Sequence, residues 1–157
     1  MEKDDVTKIR ELVEDLKFAM VTVPVREGDL HSRPMTLQEI DDDNRLWFFI
    51  ASDSELATQV EQDPRVNAAF ASKETWVSVA GRAAVVQDAE RIDRYWDSFV
   101  EPWFDGRDDP RVALLRIDAS SAEYWDTPGG RVTTVLSLVK SVATGEPMTG
   151  DHGTVEL

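Results

Sequence analysis

Apolar residues at Val6, Ile9, Leu12, Val13 and Leu16 recur every three or four positions. That interval puts them on one stripe and predicts an amphipathic helix over residues 4–17. Asp4 and Asp5 stand at its start, where carboxylates cap free amides and complement the dipole. The period then shortens. Phe18 to Val23 is rich in strand formers and ends at Pro24, Arg26-Glu-Gly28-Asp29 reads as a turn, and His31 to Leu37 pairs back as a second strand. Asp41-Asp-Asp-Asn44 is another turn, and Arg45-Leu-Trp-Phe-Phe-Ile50 is an apolar third strand. Ser54 reads as the N-cap of a helix carrying Leu56, Ala57 and Val60, which Asp63-Pro64 stops.

Val66 to Ala71 and Thr75 to Val86 predict two further strands, with Gly81 as a bulge or a point of close approach. Asp88 caps a short helix holding Ile92, Tyr95, Trp96 and Phe99. Val112 to Ile117 is a sixth strand, Glu123-Tyr-Trp125 a short extension, and Val135 to Val142 a last helix. Short turns, not repeated helical crossovers, join the strands. The expectation is therefore a mainly β fold, a six-stranded antiparallel barrel with flanking helices. It forms one domain over 1–157, with an N-terminal helix at 4–17 and a C-terminal helix and tail at 134–157.

Composition narrows the chemistry. The 157 residues suit one core, and the absence of cysteine excludes disulfides, thiolate metal sites and cysteine catalysis. Thirty-one acidic against 17 basic residues give a net charge of -14, which disfavours nucleic acid as a partner. Lysine occurs only at 3, 8, 17, 73 and 140, a balance that fits a salt-rich cytoplasm. The charged start, Met1-Glu-Lys-Asp-Asp5, has no apolar core of a secretory signal, and no apolar run reaches the roughly 18 residues of a membrane span. A cytoplasmic protein with no membrane partner is expected.

Few residues nominate a site. His31 and His152 lack partners at metal-binding spacing and read as surface histidines. The segment Asp105-Gly-Arg-Asp-Asp109 lacks the spaced ligands of a calcium loop. Carboxylates are too frequent for any pair to single out a catalytic base. Trp47, Trp76, Trp96, Trp103 and Trp125 suit core or interface packing, or the stacking of a planar ligand. Arg33-Pro-Met35 stands out within a strand. Proline removes a ladder donor and belongs at an edge, and the arginine beside it can face an anionic ligand or pair with one of the many acids.

Taken in order, Ser32-Arg-Pro-Met35, Leu46-Trp-Phe-Phe49, Asp53-Ser54, Val77-Ser-Val-Ala-Gly81, Trp96, Phe99-Val100, Trp103-Phe104, Glu123-Tyr-Trp-Asp126 and the closing Gly150 to Leu157 resemble the bacterial general stress proteins of the pyridoxamine-phosphate-oxidase-like, FMN-binding split β-barrel superfamily. The resemblance implies a homodimeric flavoprotein with two FMN sites at the subunit interface and a flavin-dependent oxidoreductase activity. It implies that Arg33, Pro34 and Met35 lie along the flavin. Phe49, Ile50 and Ala51, with Ser54, Glu55 and Leu56, would hold the ribityl phosphate, and Trp125 would approach from the other subunit. The chain departs from the family pattern in Ile50, where threonine is usual, and in Glu55-Leu56, where a lysine is usual. Losing that lysine removes a charge-assisted contact of roughly 1.5–3 kcal/mol. Only Arg131 remains of the oxidase substrate motif, in Arg131-Val-Thr-Thr-Val135, so pyridoxal-phosphate synthesis is not expected. Two other readings stand beside the flavin one: a cofactor-free split-barrel dimer with a binding or structural role, and a relative that binds a deazaflavin or haem.

Overall fold

The structure is a computed structural model that describes residues 2–126 and 151–157. Helix α1 (Glu2–Leu16) leads into β1 (Phe18–Pro24), β2 (Leu30–Thr36), β3 (Glu39–Ile40) and β4 (Arg45–Ala51). Then follow α2 (Glu55–Gln62), β5 (Arg65–Ala71), β6 (Thr75–Val86), α3 (Ala89–Tyr95), β7 (Val112–Asp126) and β8 (Asp151–Glu156). The strands form one antiparallel sheet in the order β2-β1-β5-β6-β7-β4-β3, with β8 on β7. Its two edges, β2 and β3, are consecutive in the chain, so the sheet must curl until they approach. Neighbouring amides bridge the seam: Leu37 N donates to Lys17 O at 2.7 Å on the β1 side, and Gln38 N to Trp47 O at 2.8 Å on the β4 side. This is the split barrel expected, with eight strands among the described residues in place of six.

The differences have local causes. The two residues of β3 are too few to show a period. Strand β7 runs unbroken for 15 residues through Asp118-Ala-Ser-Ser121, where the sequence suggests a break. The polar stretch lies at a bulge, where the register shifts opposite Ala80 and Gly81. Helix α3 ends at Tyr95, because Trp96 already has extended backbone (ψ 127°), so Trp96 and Phe99 lie outside it. Helix α1 stops one residue earlier than expected, since Lys17 takes a left-handed φ of 61°. The helix expected at Val135 to Val142 lies outside the described residues, and the end of the tail forms β8.

The alternating pattern of the strands sends one face inward. Leu46, Phe48 and Ile50 of β4 join Val21, Phe70, Val79, Leu115 and Ile117 in the main core, which α1 covers with Ile9 and Val13. Tyr124 Oη donates to Asp5 Oδ1 at 3.0 Å, tying α1 to β7. Strand β4 is covered on both faces, which is why it reads as a continuous apolar run. On its other side Trp47 packs with Ile92, Tyr95, Val112 and Leu114 under α3.

Candidate functional site

Strand β2 and helix α2, separated in the chain by β3 and β4, meet where the sheet curls over. Pro34 lies on the edge strand, as its missing amide requires. Arg33 pairs with inward-facing Val21, which directs its guanidinium to the inner side. There Nη1 donates to Gln59 Oε1 at 2.9 Å, and Nη2 lies 3.7 Å from Glu55 Oε2. Gln59 Nε2 donates back to Glu55 Oε1 at 3.1 Å, one helical turn away. Among the described residues Gln59 is the one polar member of the buried set, at 9% exposure. A buried amide is costly unless bonded, and both ends of this one are used. The result is a closed triad of Arg33, Glu55 and Gln59. Gln59 was not singled out by the sequence. Its spacing of four from Glu55 is the only signal that could have found it.

The remaining expected residues divide between the two faces. Ser54 has extended backbone and accepts from Ala57 N at 3.2 Å, so it caps α2 as expected. Leu56 and Ile50 are core side chains, exposed by 5% and 6%. Phe49, next to Ile50 in the strand, points the opposite way and meets Tyr95 and Trp96 edge-on at centroid distances of 6.4 and 6.1 Å. Adjacent strand residues face opposite sides, so one ligand meets the side chain of Phe49 or of Ile50, not both. Ala51 ends β4 opposite Val112, and Ser52 N then donates to Arg111 O at 2.8 Å. Arg111 in turn binds Asp109 and holds its carboxyl well below the usual carboxylate range. Met35 faces inward against the main core.

Trp125 lies elsewhere. It sits on the outer face of β7, beside Trp76 of β6, and stacks on His152 of β8 at 5.1 Å and 17°. Four strand spacings separate β7 from β2 in the sheet order. The outer face around it is apolar and open, with Phe18, Met20 and Trp76 exposed.

A second polar cluster, unforeseen in the sequence, ties α3 to the β3–β4 turn. Glu39 accepts from Arg91 at 2.9 Å, from Arg94 at 2.8 Å and from the Tyr95 hydroxyl. Burial and the bond to Glu39 push the Tyr95 phenol up. Arg91 lies 4.2 Å over the Trp47 ring, and Trp47 Nε1 donates to Asp41 Oδ2 at 2.9 Å. Burial alone would raise the Asp41 carboxyl, but that bond, the amides of Arg45 and Asp43, and the charge of Arg91 together lower it. A cleft of about 510 Å³ lies beside this cluster, lined by Arg10, Glu39, Asp41, Arg91 and Arg94. It does not adjoin α2. Glu39, Asp41, Arg91 and Arg94 in it are mutually paired, the pattern of a structural clamp. Among the described residues no three His, Asp or Glu groups are placed to hold a metal ion, and no helix is long and apolar enough to cross a membrane.

The triad accommodates a flavin in part. Met35, on the same inner face as Arg33, offers an apolar side chain next to the cation, whereas Pro34, paired with the exposed Met20, faces the other side. A helix start supplies amides without partners in the helix itself. A phosphate dianion, however, meets one arginine already shared with Glu55, and Leu56 is packed inward where a lysine would help.

The comparisons agree with this architecture. A family model described as pyridoxamine 5'-phosphate oxidase like matches residues 4–149. General stress protein 26 of Bacillus subtilis is 29% identical over 122 residues, covering 74% of this chain and 85% of its own. The crystal structure of a protein described as general stress protein 26 from Jannaschia sp. CCS1 superposes with a TM-score of 0.80 at 27% identity, covering 98% of this chain and 99% of that one. A general stress FMN/FAD binding protein from Xanthomonas citri is 33% identical with a TM-score of 0.66, covering 79% of this chain and 89% of its own.

Proposed function

The chain belongs to the pyridoxamine 5'-phosphate oxidase-like family, and we propose that it binds a flavin between two copies of itself and serves as a redox protein of the general-stress type. The observation that carries this reading is the meeting of Arg33 with the first two turns of α2, 2.9 Å to Gln59 and 3.7 Å to Glu55. It builds a polar corner beside the apolar edge of the barrel, suited to the chain and head of a ligand with a flat apolar ring. The Xanthomonas relative, described as binding FMN or FAD, supports it. A bound flavin supplies hydride or electron transfer, while the protein supplies position and electrostatics. FMN is the form the family resemblance implies. The remnant oxidase motif at Arg131 to Val135 lies outside the described residues and has no part in the proposal.

Two copies are part of the proposal because Trp125 and Arg33 stand on opposite faces of the sheet. One flavin can touch both only if they come from different chains. The apolar stripe of Phe18, Met20 and Trp76 around Trp125 is the natural contact. Met20→Glu places a charge in that stripe, and an uncompensated buried charge costs several kcal/mol. The variant is expected to sediment as a monomer while the wild type sediments as a dimer. A dimer of unchanged affinity would move the contact to another face.

Titration of the protein with FMN, followed by flavin fluorescence at low and at molar salt, tests the ligand. Saturable binding in the micromolar range is expected. Arg33→Ala, which leaves Glu55 unbalanced beside the ligand, is expected to weaken FMN by about tenfold or more. Colourless protein that binds no flavin at either salt would instead favour the cofactor-free reading, which the internal Arg33–Glu55 pair and the inward Leu56 support.

A further inference from the structure

We infer that Glu55 is a built-in anion that occupies Arg33 in place of an external phosphate, so that the site takes a flavin by its ring and ribityl chain and discriminates little between a phosphorylated and an unphosphorylated tail. The inference rests on the flavin-binding reading and adds the class of tail the site accepts.

The geometry is specific. Glu55 uses both carboxylate oxygens, Oε1 accepting from Gln59 at 3.1 Å and Oε2 facing Arg33 at 3.7 Å. Its side chain is otherwise 75% exposed, so these two partners, not packing, set its position. Gln59 is buried and bridges the other two residues, which makes the pairing a unit and not a chance surface contact. Among the described residues, Arg33 is the only cation bonded to residues 54–59. Arg111, the next along the rim, is bonded to Asp109 and also paired with Asp105. An incoming phosphate therefore has to share Arg33 with a carboxylate and accept the repulsion of that carboxylate. A neutral ribityl end meets neither cost, and its hydroxyls can bond to Gln59, Glu55 or the α2 amides. Anions near a helix start are ordinarily favoured, and here the chain supplies its own.

The test is a titration of wild type, Glu55→Gln and Glu55→Ala with riboflavin and with FMN, read by flavin fluorescence and by tryptophan quenching, at 50 mM and 1 M NaCl. Wild type is expected to bind the two flavins within about threefold of each other. Both variants are expected to gain about tenfold for FMN and little for riboflavin, because removing one charge frees Arg33 and lifts the repulsion. That gain is expected to shrink to about two- to threefold at 1 M salt, where the Debye length is about 3 Å. The melting temperature of Glu55→Gln should match wild type, because its amide oxygen can still accept from Gln59, whereas Glu55→Ala takes that acceptor from the buried amide and is expected to melt a few degrees lower. FMN binding more than tenfold tighter than riboflavin in wild type would overturn the inference and leave the flavin reading standing. So would a variant that improves both flavins equally. Failure of both flavins to bind any of the three proteins would remove the flavin reading and this inference with it.

Discussion

Truncating Phe48 to alanine is expected to lower stability by about 3–5 kcal/mol. Phe48 is among the largest side chains of the core with no exposed surface. It sits at the middle of β4 on the inner face, paired with Leu115 and flanked along the strand by Leu46 and Ile50. Strands β4 and β7 are hydrogen-bonded along seven consecutive pairs, so the backbone cannot close over the void and most of the cavity penalty remains. For a chain of this size each kcal/mol moves the melting temperature by about 2–4 °C, which predicts a fall of about 10 °C. Urea unfolding followed by tryptophan fluorescence reads the same quantity. Phe99→Ala serves as the control: that ring is 84% exposed, and its loss is expected to stay within about 0.5 kcal/mol. Equal effects of the two variants would contradict the packing described. The Phe48 variant also reports on the site, because β4 runs through Ala51 directly into the cap of α2. Flavin affinity should fall with stability if that cap is held by the strand.

The second large effect is expected at Gly81. A Cβ there would stand 2.3 Å from Asp118 O and 3.1 Å from Ala119 Cα, both backbone atoms of the neighbouring strand. Side chains can turn away, but paired backbone cannot. Gly81→Ala should therefore cost about 3 kcal/mol or more, at the upper end of what overpacking does. The register shift between Ala80 and Gly81 marks the same place. Close approach of β7 at the bulge excludes a Cβ, so the glycine is required by the neighbour, not by its own backbone angles. A thermal scan against Ala80→Gly, next in the chain and clear of the contact, separates the two causes. A Gly81→Ala protein as stable as wild type would mean the strands can part at the bulge.

The two variants show how far the sequence could be read. Gly81 was legible as an irregularity because a glycine inside a strand pattern has no side chain to pack and so marks a bulge or a close approach. Phe48 was legible as core because β4 is a continuous apolar run. The helix spacing of α1, the Ser54 cap and the edge position forced by Pro34 are likewise properties of a few neighbouring residues, and the structure agrees with them. Elements without a local period escaped. Strand β3 is two residues long, and β8 becomes a strand only because β7 offers it an edge at Ser121 to Asp126.

The candidate site was legible in its parts and not in its assembly. Sequence marked Arg33 and left its partner open between an outside anion and one of 31 acids. It marked Glu55 as a departure without saying what the carboxylate touches. Only the curl of the sheet decides this, by carrying β2 back against α2 and bringing Arg33 within 3.7 Å of Glu55 and 2.9 Å of Gln59. The same is true of Trp125, which the register of β6 and β7 sets on the outer face, away from Arg33. Side-chain periodicity is a local property and fixes which face of each element is apolar, so fold class and core could be read from the chain alone. Which polar groups meet depends on strand order, register and the closing of the sheet. Those are set by the packing of residues distant in sequence, and only the tertiary structure decides them.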